Sequence, residues 1–273
     1  MSDRCSKQAA PRRAWHLAAC LALVSLLAAC GSTIVEDPNS QAGLDKLYAE
    51  AKEDLGVGSY EPAIKKLERI EGRAAGTLLG QQVILDMAWA QFKSGEKAAA
   101  VTTLDRFLKL HPSSPGTEYA MYLKGLVNFN EDLGLFGRLA RQDVSERDQQ
   151  ASKDALLAFR ELVERFPNSR YADEARTRID FITNNLARHE VHVARYYLNR
   201  GAFVAAANRA QVAITEYPYA PAAEEALAIQ LASYERLGLT ELAKDSRRVL
   251  ERNFPNNAAL AVQQGDRPWW KLW

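Results

Sequence analysis

Three triplets of small and rigid residues recur at one spacing, and they constrain the chain more than any other feature. Gly95, Ala100 and Pro112 stand at the same offsets as Gly201, Ala206 and Pro218, and as Gly238, Ala243 and Pro255. Ala155 and Pro167 keep the Ala-to-Pro step without the Gly. Gly58 and Ala63 keep the Gly-to-Ala step, with Ala75 where Pro would fall, so five units can be counted. Gly suits a tight or left-handed turn between two helices, Ala lets the second helix lie close to the first, and Pro ends that second helix. Before each Pro stand His111, Phe166, Tyr217 and Phe254, and five before it Phe107, Leu162, Ala213 and Leu250, an inward-facing helical stripe. One such pair of helices cannot bury its own apolar face, so the units must stack.

A helix-turn-helix unit repeating about every 34 residues, with a small residue at the crossing and a closing Pro, is the tetratricopeptide (TPR) pattern. The expected fold is therefore all-α, an α-solenoid of about five TPR repeats. The spacing predicts helices over Leu44 to Gly56, Tyr60 to Glu71, Leu79 to Lys93 and Lys97 to Leu110. A third unit opens at Thr117. It is interrupted by an insertion near 129–149, whose Leu133, Leu135, Phe136 and Leu139 argue that its first half folds back. Residues 44–170 thus hold repeats 1–3. Residues 171–256 hold repeats 4–5 behind one long helix from Tyr171 to Asn199, with a break at Asn184-Asn185 as the alternative.

The beginning of the chain reads differently. Arg4, Lys7, Arg12 and Arg13 precede an apolar run from Leu17 to Ala29, too short for a comfortable membrane span, so 1–29 reads as a secretory signal. Leu27-Ala28-Ala29-Cys30 resembles a bacterial lipobox, which makes Cys30 the expected lipidation site and 30–43 a lipidated tether; cleavage to a free thiol is the other reading. Gly31, rather than Asp, after the Cys permits sorting to the outer membrane. Cys5 and Cys20 leave with the signal, so no intrachain disulfide or thiolate metal site is expected. Removal of 1–29 takes 35 basic against 34 acidic residues to 31 against 33, with no basic excess for nucleic acid.

No constellation proposes catalysis. In His189-Glu190-Val191-His192 the His residues are three apart, whereas a zinc-hydrolase helix needs them four apart with Glu beside the first. No nucleophile elbow or phosphate loop occurs, and carboxylates sit beside Lys and Arg as on solvated helix faces. No enzyme, cofactor or metal is expected.

TPR stacks do propose a groove, lined by first-helix residues at fixed distances before the turn Gly. In the front repeats these are Asp45, Tyr48, Lys52 and Leu55, then Gln82, Leu85, Trp89, Phe92 and Lys93, then Tyr119, Tyr122, Leu126 and Phe129. In the back they are Arg188, Val191, Arg195, Leu198 and Asn199, then Glu225, Ala228, Ala232, Glu235 and Arg236. The front is aromatic with a few Lys, suited to apolar side chains and a chain-end carboxylate; the back is charged and suited to a folded partner. Packing between repeats is the competing role, evenly so for Phe92 and Phe129. A Trp-rich tail, 257–273, ends in Pro268-Trp-Trp-Lys-Leu-Trp273 and could cap the last repeat, bind a partner or sit at a lipid interface.

Several stretches resemble the BamD (ComL) family, the TPR lipoproteins of the outer-membrane β-barrel assembly machine. They include Gln81-Gln82-Val83-x-Leu85-Asp86, Tyr119-x-x-Tyr122-x-x-Gly125-Leu126, Phe166-Pro167-Asn168-Ser169-x-Tyr171-Ala172 and Tyr196-Tyr197-x-x-Arg200-Gly201-Ala202 with Asn208-Arg209. The first repeat's missing Pro and the Trp tail depart from that pattern. The resemblance implies a non-enzymatic adaptor, lipid-anchored on the periplasmic face of the outer membrane. Tyr48, Lys52, Trp89, Phe92, Tyr119 and Tyr122 would receive the targeting segment of unfolded outer-membrane proteins. Arg188, Arg195, Arg209, Glu225 and Arg236 would dock BamA, with other Bam subunits as further partners. The alternative is another TPR lipoprotein, a scaffold coordinating cell-envelope or peptidoglycan synthesis.

Overall fold

The computed structural model of the chain describes residues 40–129 and 149–261. Cys30, the signal, most of the insertion, and the Trp tail from 262 on lie outside the described residues. All regular structure among them is helical: α1 (Gln41–Gly56), α2 (Tyr60–Glu71), α3 (Leu78–Lys93), α4 (Lys97–Leu110), α5 (Thr117–Asn128), α6 (Gln149–Arg165), α7 (Ala172–Asn199), α8 (Phe203–Glu216), α9 (Ala223–Arg236), α10 (Thr240–Asn253) and α11 (Ala258–Ala261). From Leu47 onward they belong to one compact unit. Residues 40–46 form the beginning of α1, where the Ser40 hydroxyl accepts the Gly43 N–H at 3.1 Å. That cap starts the helix at Gln41 and not Leu44, which shortens the expected tether.

Within the compact unit each helix packs on the next from α2 to α10, and first helices also meet one another, α3 with α5 and α7 with α9. This is a TPR-like α-solenoid. Each repeated residue occupies the place its chemistry suggests. Gly58, Gly95, Gly201 and Gly238 have φ between 72° and 90°, and each closes its helix in the same way. The Gly201 N–H donates to Leu198 O at 3.0 Å and the Ala202 N–H to Tyr197 O at 2.9 Å, the paired bonds of a Schellman cap. Ala63, Ala100, Ala155 and Ala206 are fully buried and Ala243 nearly so. His111, Tyr217 and Phe254, each held out of helical geometry by the following Pro, have φ from −138° to −131°. The residues five before Pro, Phe107, Leu162, Ala213 and Leu250, are fully buried.

The first repeat, lacking Pro, closes otherwise. Gly76 takes a φ of 79°, Thr77 Oγ1 donates to Ala74 O at 2.7 Å, and Gly80 lies so close that a Cβ there would stand 2.3 Å from that carbonyl oxygen. Across the insertion α5 packs on α6 and completes the third repeat. α7 runs unbroken through Asn184-Asn185, so the alternative of two helices is not realised. Its first half, with Ala175 and Ile182, packs on α6, and its second, with Val191, Ala194 and Leu198, on α8 and α9.

Among the described residues, hydrophobic clusters follow one another along the stack. The first joins α3, α4 and α5 around Leu104, Phe107 and Leu123. The second joins α5, α6 and α7 around Phe159, Leu162 and Leu186, and the third joins α7 to α10 around Leu198, Ile229 and Leu250.

Candidate functional site

The front site is built on the first helices of three successive repeats. Lys52, Leu55 and Gly56 of α1, Asp86 and Trp89 of α3 and Tyr119 of α5 line a cavity of about 320 Å³. Its polar centre is Asp86. Tyr48 Oη donates to Asp86 Oδ2 at 2.7 Å, Gln82 Nε2 to Oδ1 at 3.1 Å, and Lys52 Nζ spans both oxygens at 3.4 and 3.5 Å. The Asp86 side chain is 13 % exposed and that of Lys52 50 %. Tyr60 of α2 meets the Trp89 ring edge-on at 5.6 Å and fixes its orientation. The Tyr119 hydroxyl is pushed up to about 12, by burial first and then by the Asp86 charge. The Tyr48 hydroxyl is raised too, by burial and by its bond to the same carboxylate.

Of the six expected groove residues, Lys52, Trp89 and Tyr119 line this cavity and Tyr48 supports it from below. Phe92 packs against the first hydrophobic cluster. Tyr122 is buried in the second: it stacks on Tyr171 at 4.6 Å with rings 16° from parallel, and its hydroxyl donates to Glu174. Its ring is a core contact, because the residue seven before Phe129 on α5 points between α6 and α7. Phe129 divides its ring between Phe159, Phe181 and the Arg178 guanidinium. The expectation that a groove with a few Lys would suit a chain-end carboxylate meets a site whose Lys52 already faces an internal carboxylate. Asp86 itself lies nine residues before Gly95, outside the groove positions that counting back reaches. The Gln82-Asp86 pair, four apart, was the available signal.

The back face is charged, and its charges are paired within the chain. Arg195 Nε of α7 donates to Glu225 Oε1 of α9 at 2.7 Å, and Nη2 reaches the same oxygen. Arg209 Nη1 of α8 donates to Glu190 Oε2 at 3.1 Å. The Glu190 side chain is only 9 % exposed, so the Glu of the His-Glu-Val-His stretch packs inward against an arginine. Arg236 lies over the Phe203 ring, 5.7 Å from its centroid, and Arg188 is exposed on α7. Beside Glu225, Pro221, Glu224, Ala228, Asn257 and Ala259 border a second cavity of about 230 Å³. Among the described residues no group of three or more His, Cys, Asp or Glu is arranged to hold a metal ion, and no helix is long and apolar enough to cross a membrane.

A stack of helix pairs that presents a lined pocket at one end and ion-paired helices at the other defines a helical-repeat binding scaffold. The family model for YfiO, described as outer membrane lipoprotein, matches residues 40–250. The outer membrane protein assembly factor BamD of Neisseria meningitidis serogroup A is 45% identical over 253 residues, 90% of this chain and 95% of that protein. BamD of Vibrio cholerae is 35% identical, covering 85% of this chain and 96% of that protein. BamD of Haemophilus influenzae is 34% identical, covering 86% and 89%. The chain belongs to the BamD family of outer membrane lipoproteins, whose named members are outer membrane protein assembly factors.

Proposed function

We propose that this protein is a non-enzymatic adaptor of outer-membrane protein assembly, held on the periplasmic face of the outer membrane by lipid on Cys30. The front pocket takes the targeting segment of unfolded outer-membrane proteins, and the α7–α9 face docks the barrel insertase BamA, with other Bam subunits alongside. The observation that supports this reading best is the separation of the two faces: the pocket rests on the first hydrophobic cluster and the charged helices on the third. A client and a machine subunit can then be held together on one scaffold, and tethering converts the second encounter into an intramolecular one.

Placing the back charges in ion pairs changes which variants test the docking face. Reversing Arg209 would strand the buried Glu190 and injure the fold, whereas Arg188→Glu changes a side chain on the exposed surface of α7. The decisive measurement is recovery of the tagged, lipidated protein from gently solubilised membranes. A large outer-membrane barrel with periplasmic domains should copurify stoichiometrically and be lost with Arg188→Glu. Trp89→Ala should keep the barrel and lose binding of a peptide ending in an aromatic residue. Recovery of cell-wall synthases without a barrel would establish the envelope scaffold instead, and unchanged peptide binding by Trp89→Ala would remove the pocket from the mechanism.

A further inference from the structure

We infer that the front pocket selects a basic side chain of the client segment, with Asp86 as the residue that reads it. This inference rests on the assignment of the pocket to client binding and adds the chemistry of what enters it.

Three features of the cavity converge on a cation. Its polar floor is a carboxylate held in place from outside: Tyr48 and Gln82 each give Asp86 one short bond. A carboxylate offers about four acceptor positions, so these two donors leave capacity on the cavity side. The group now facing that side is Lys52 Nζ, at 3.4 and 3.5 Å from the two oxygens on a half-exposed side chain. A long contact of this kind to an exposed lysine contributes little. It marks a place where a positive charge is welcome and the incumbent is easily exchanged. The walls are Trp89 and Tyr119, whose ring faces attract a guanidinium or ammonium group. The Tyr119 hydroxyl senses the Asp86 charge and stays neutral to about 12, so the wall adds no competing charge of its own. Finally, about 320 Å³ has room for one long side chain.

An anionic group entering the same space would meet Asp86 with Lys52 as the one lining cation among the described residues, and would have to break the lysine away from its carboxylate to use it. A basic side chain instead displaces the Lys52 ammonium into water and takes over its place beside Trp89 and Tyr119.

Three decapeptides ending in Phe test this against the full mature chain: one with a single arginine, one with citrulline in its place and one with glutamate. The arginine peptide should bind about tenfold more tightly than the citrulline peptide, the scale of one hydrogen bond to a charged, largely desolvated acceptor, and the glutamate peptide should bind most weakly. Asp86→Asn, which retains an acceptor for Tyr48, should bring the arginine-to-citrulline ratio close to one. Lys52→Met should tighten the arginine peptide, because the competing cation is gone. Equal binding of arginine and citrulline peptides would overturn the inference and leave the client pocket standing. Weaker binding of all three by Lys52→Met would also overturn it, since Lys52 would then be reading an anion. Binding of none of the three would remove the client-pocket assignment itself.

Discussion

Glycine is used in this chain for two unrelated reasons, and the same substitution separates them. Gly201 sits at φ 75° with no atom close to where a Cβ would go, so alanine there meets only the conformational cost of a left-handed residue. Gly201→Ala should lower the unfolding free energy by about 1–2 kcal/mol. Gly125 lies inside α5, and its missing Cβ would fall 2.4 Å from a Phe159 ring carbon and 2.6 Å from two more. The ring cannot swing aside, because Tyr122 and Phe129 pack on it. Gly125→Ala should therefore cost about 1–3 kcal/mol by overpacking. Denaturant unfolding of each variant measures both. The diagnostic is the double variant with Phe159→Leu, in which Gly125→Ala is partly relieved and Gly201→Ala is not.

Among the elements, α7 decides how front and back repeats are joined. It serves α6 with one half and α8 and α9 with the other, and spans about 42 Å at 1.5 Å per residue. The Asn184-Asn185 pair has poor helix propensity, yet Ile182, Leu186 and Ala187 are buried on either side of it, and their packing outweighs the local preference. Proline at Asn185 would remove one main-chain hydrogen bond and clash with the preceding turn. Asn185→Pro should lower stability by about 3 kcal/mol, read from the denaturation midpoint. An unchanged midpoint would mean that the helix is interrupted there in solution.

The whole stack shares a response to alkaline pH, because tyrosine hydroxyls are buried at several of its interfaces. Tyr119, Tyr122 and Tyr217 are pushed up to about 12 from the ordinary 10, burial being the first cause in each case, followed by Asp86, Glu174 and Glu216 respectively. A folded value above the unfolded one means that the native state holds these protons more tightly. The contribution is complete below pH 10 and is lost as pH rises towards about 12. Guanidinium unfolding should therefore give a steady midpoint through pH 9 and a falling one above 10, while absorbance at 295 nm shows tyrosines ionising later in the native chain than in the unfolded one. Glu174 has the opposite sign. Bonds from Tyr122 and Arg178 hold its carboxyl below the usual range, so its contribution is present at neutral pH and fades as the solution becomes acid.

The repeat was legible from Gly, Ala and Pro spacing because backbone conformation and helix-crossing distance are local demands that few residue types satisfy. Four helix turns, the closing prolines and the fully buried residues five before them stand where that spacing puts them. Side-chain partnership was not legible to the same degree. Counting back from each Gly finds residues on a helix face, and it treats Trp89, Phe92, Tyr119 and Tyr122 alike. Neighbouring helices decide that Trp89 and Tyr119 wall a cavity while Tyr122 is stacked on Tyr171 and Phe92 packs into the first cluster. The same holds for charge: Asp86 and Glu190 lay in the sequence as ordinary surface carboxylates. Only the approach of α1 to α3, and of α7 to α8, gives one of them a tyrosine and a lysine and the other an arginine, because an ion pair depends on a distance between helices that no periodicity within one helix contains.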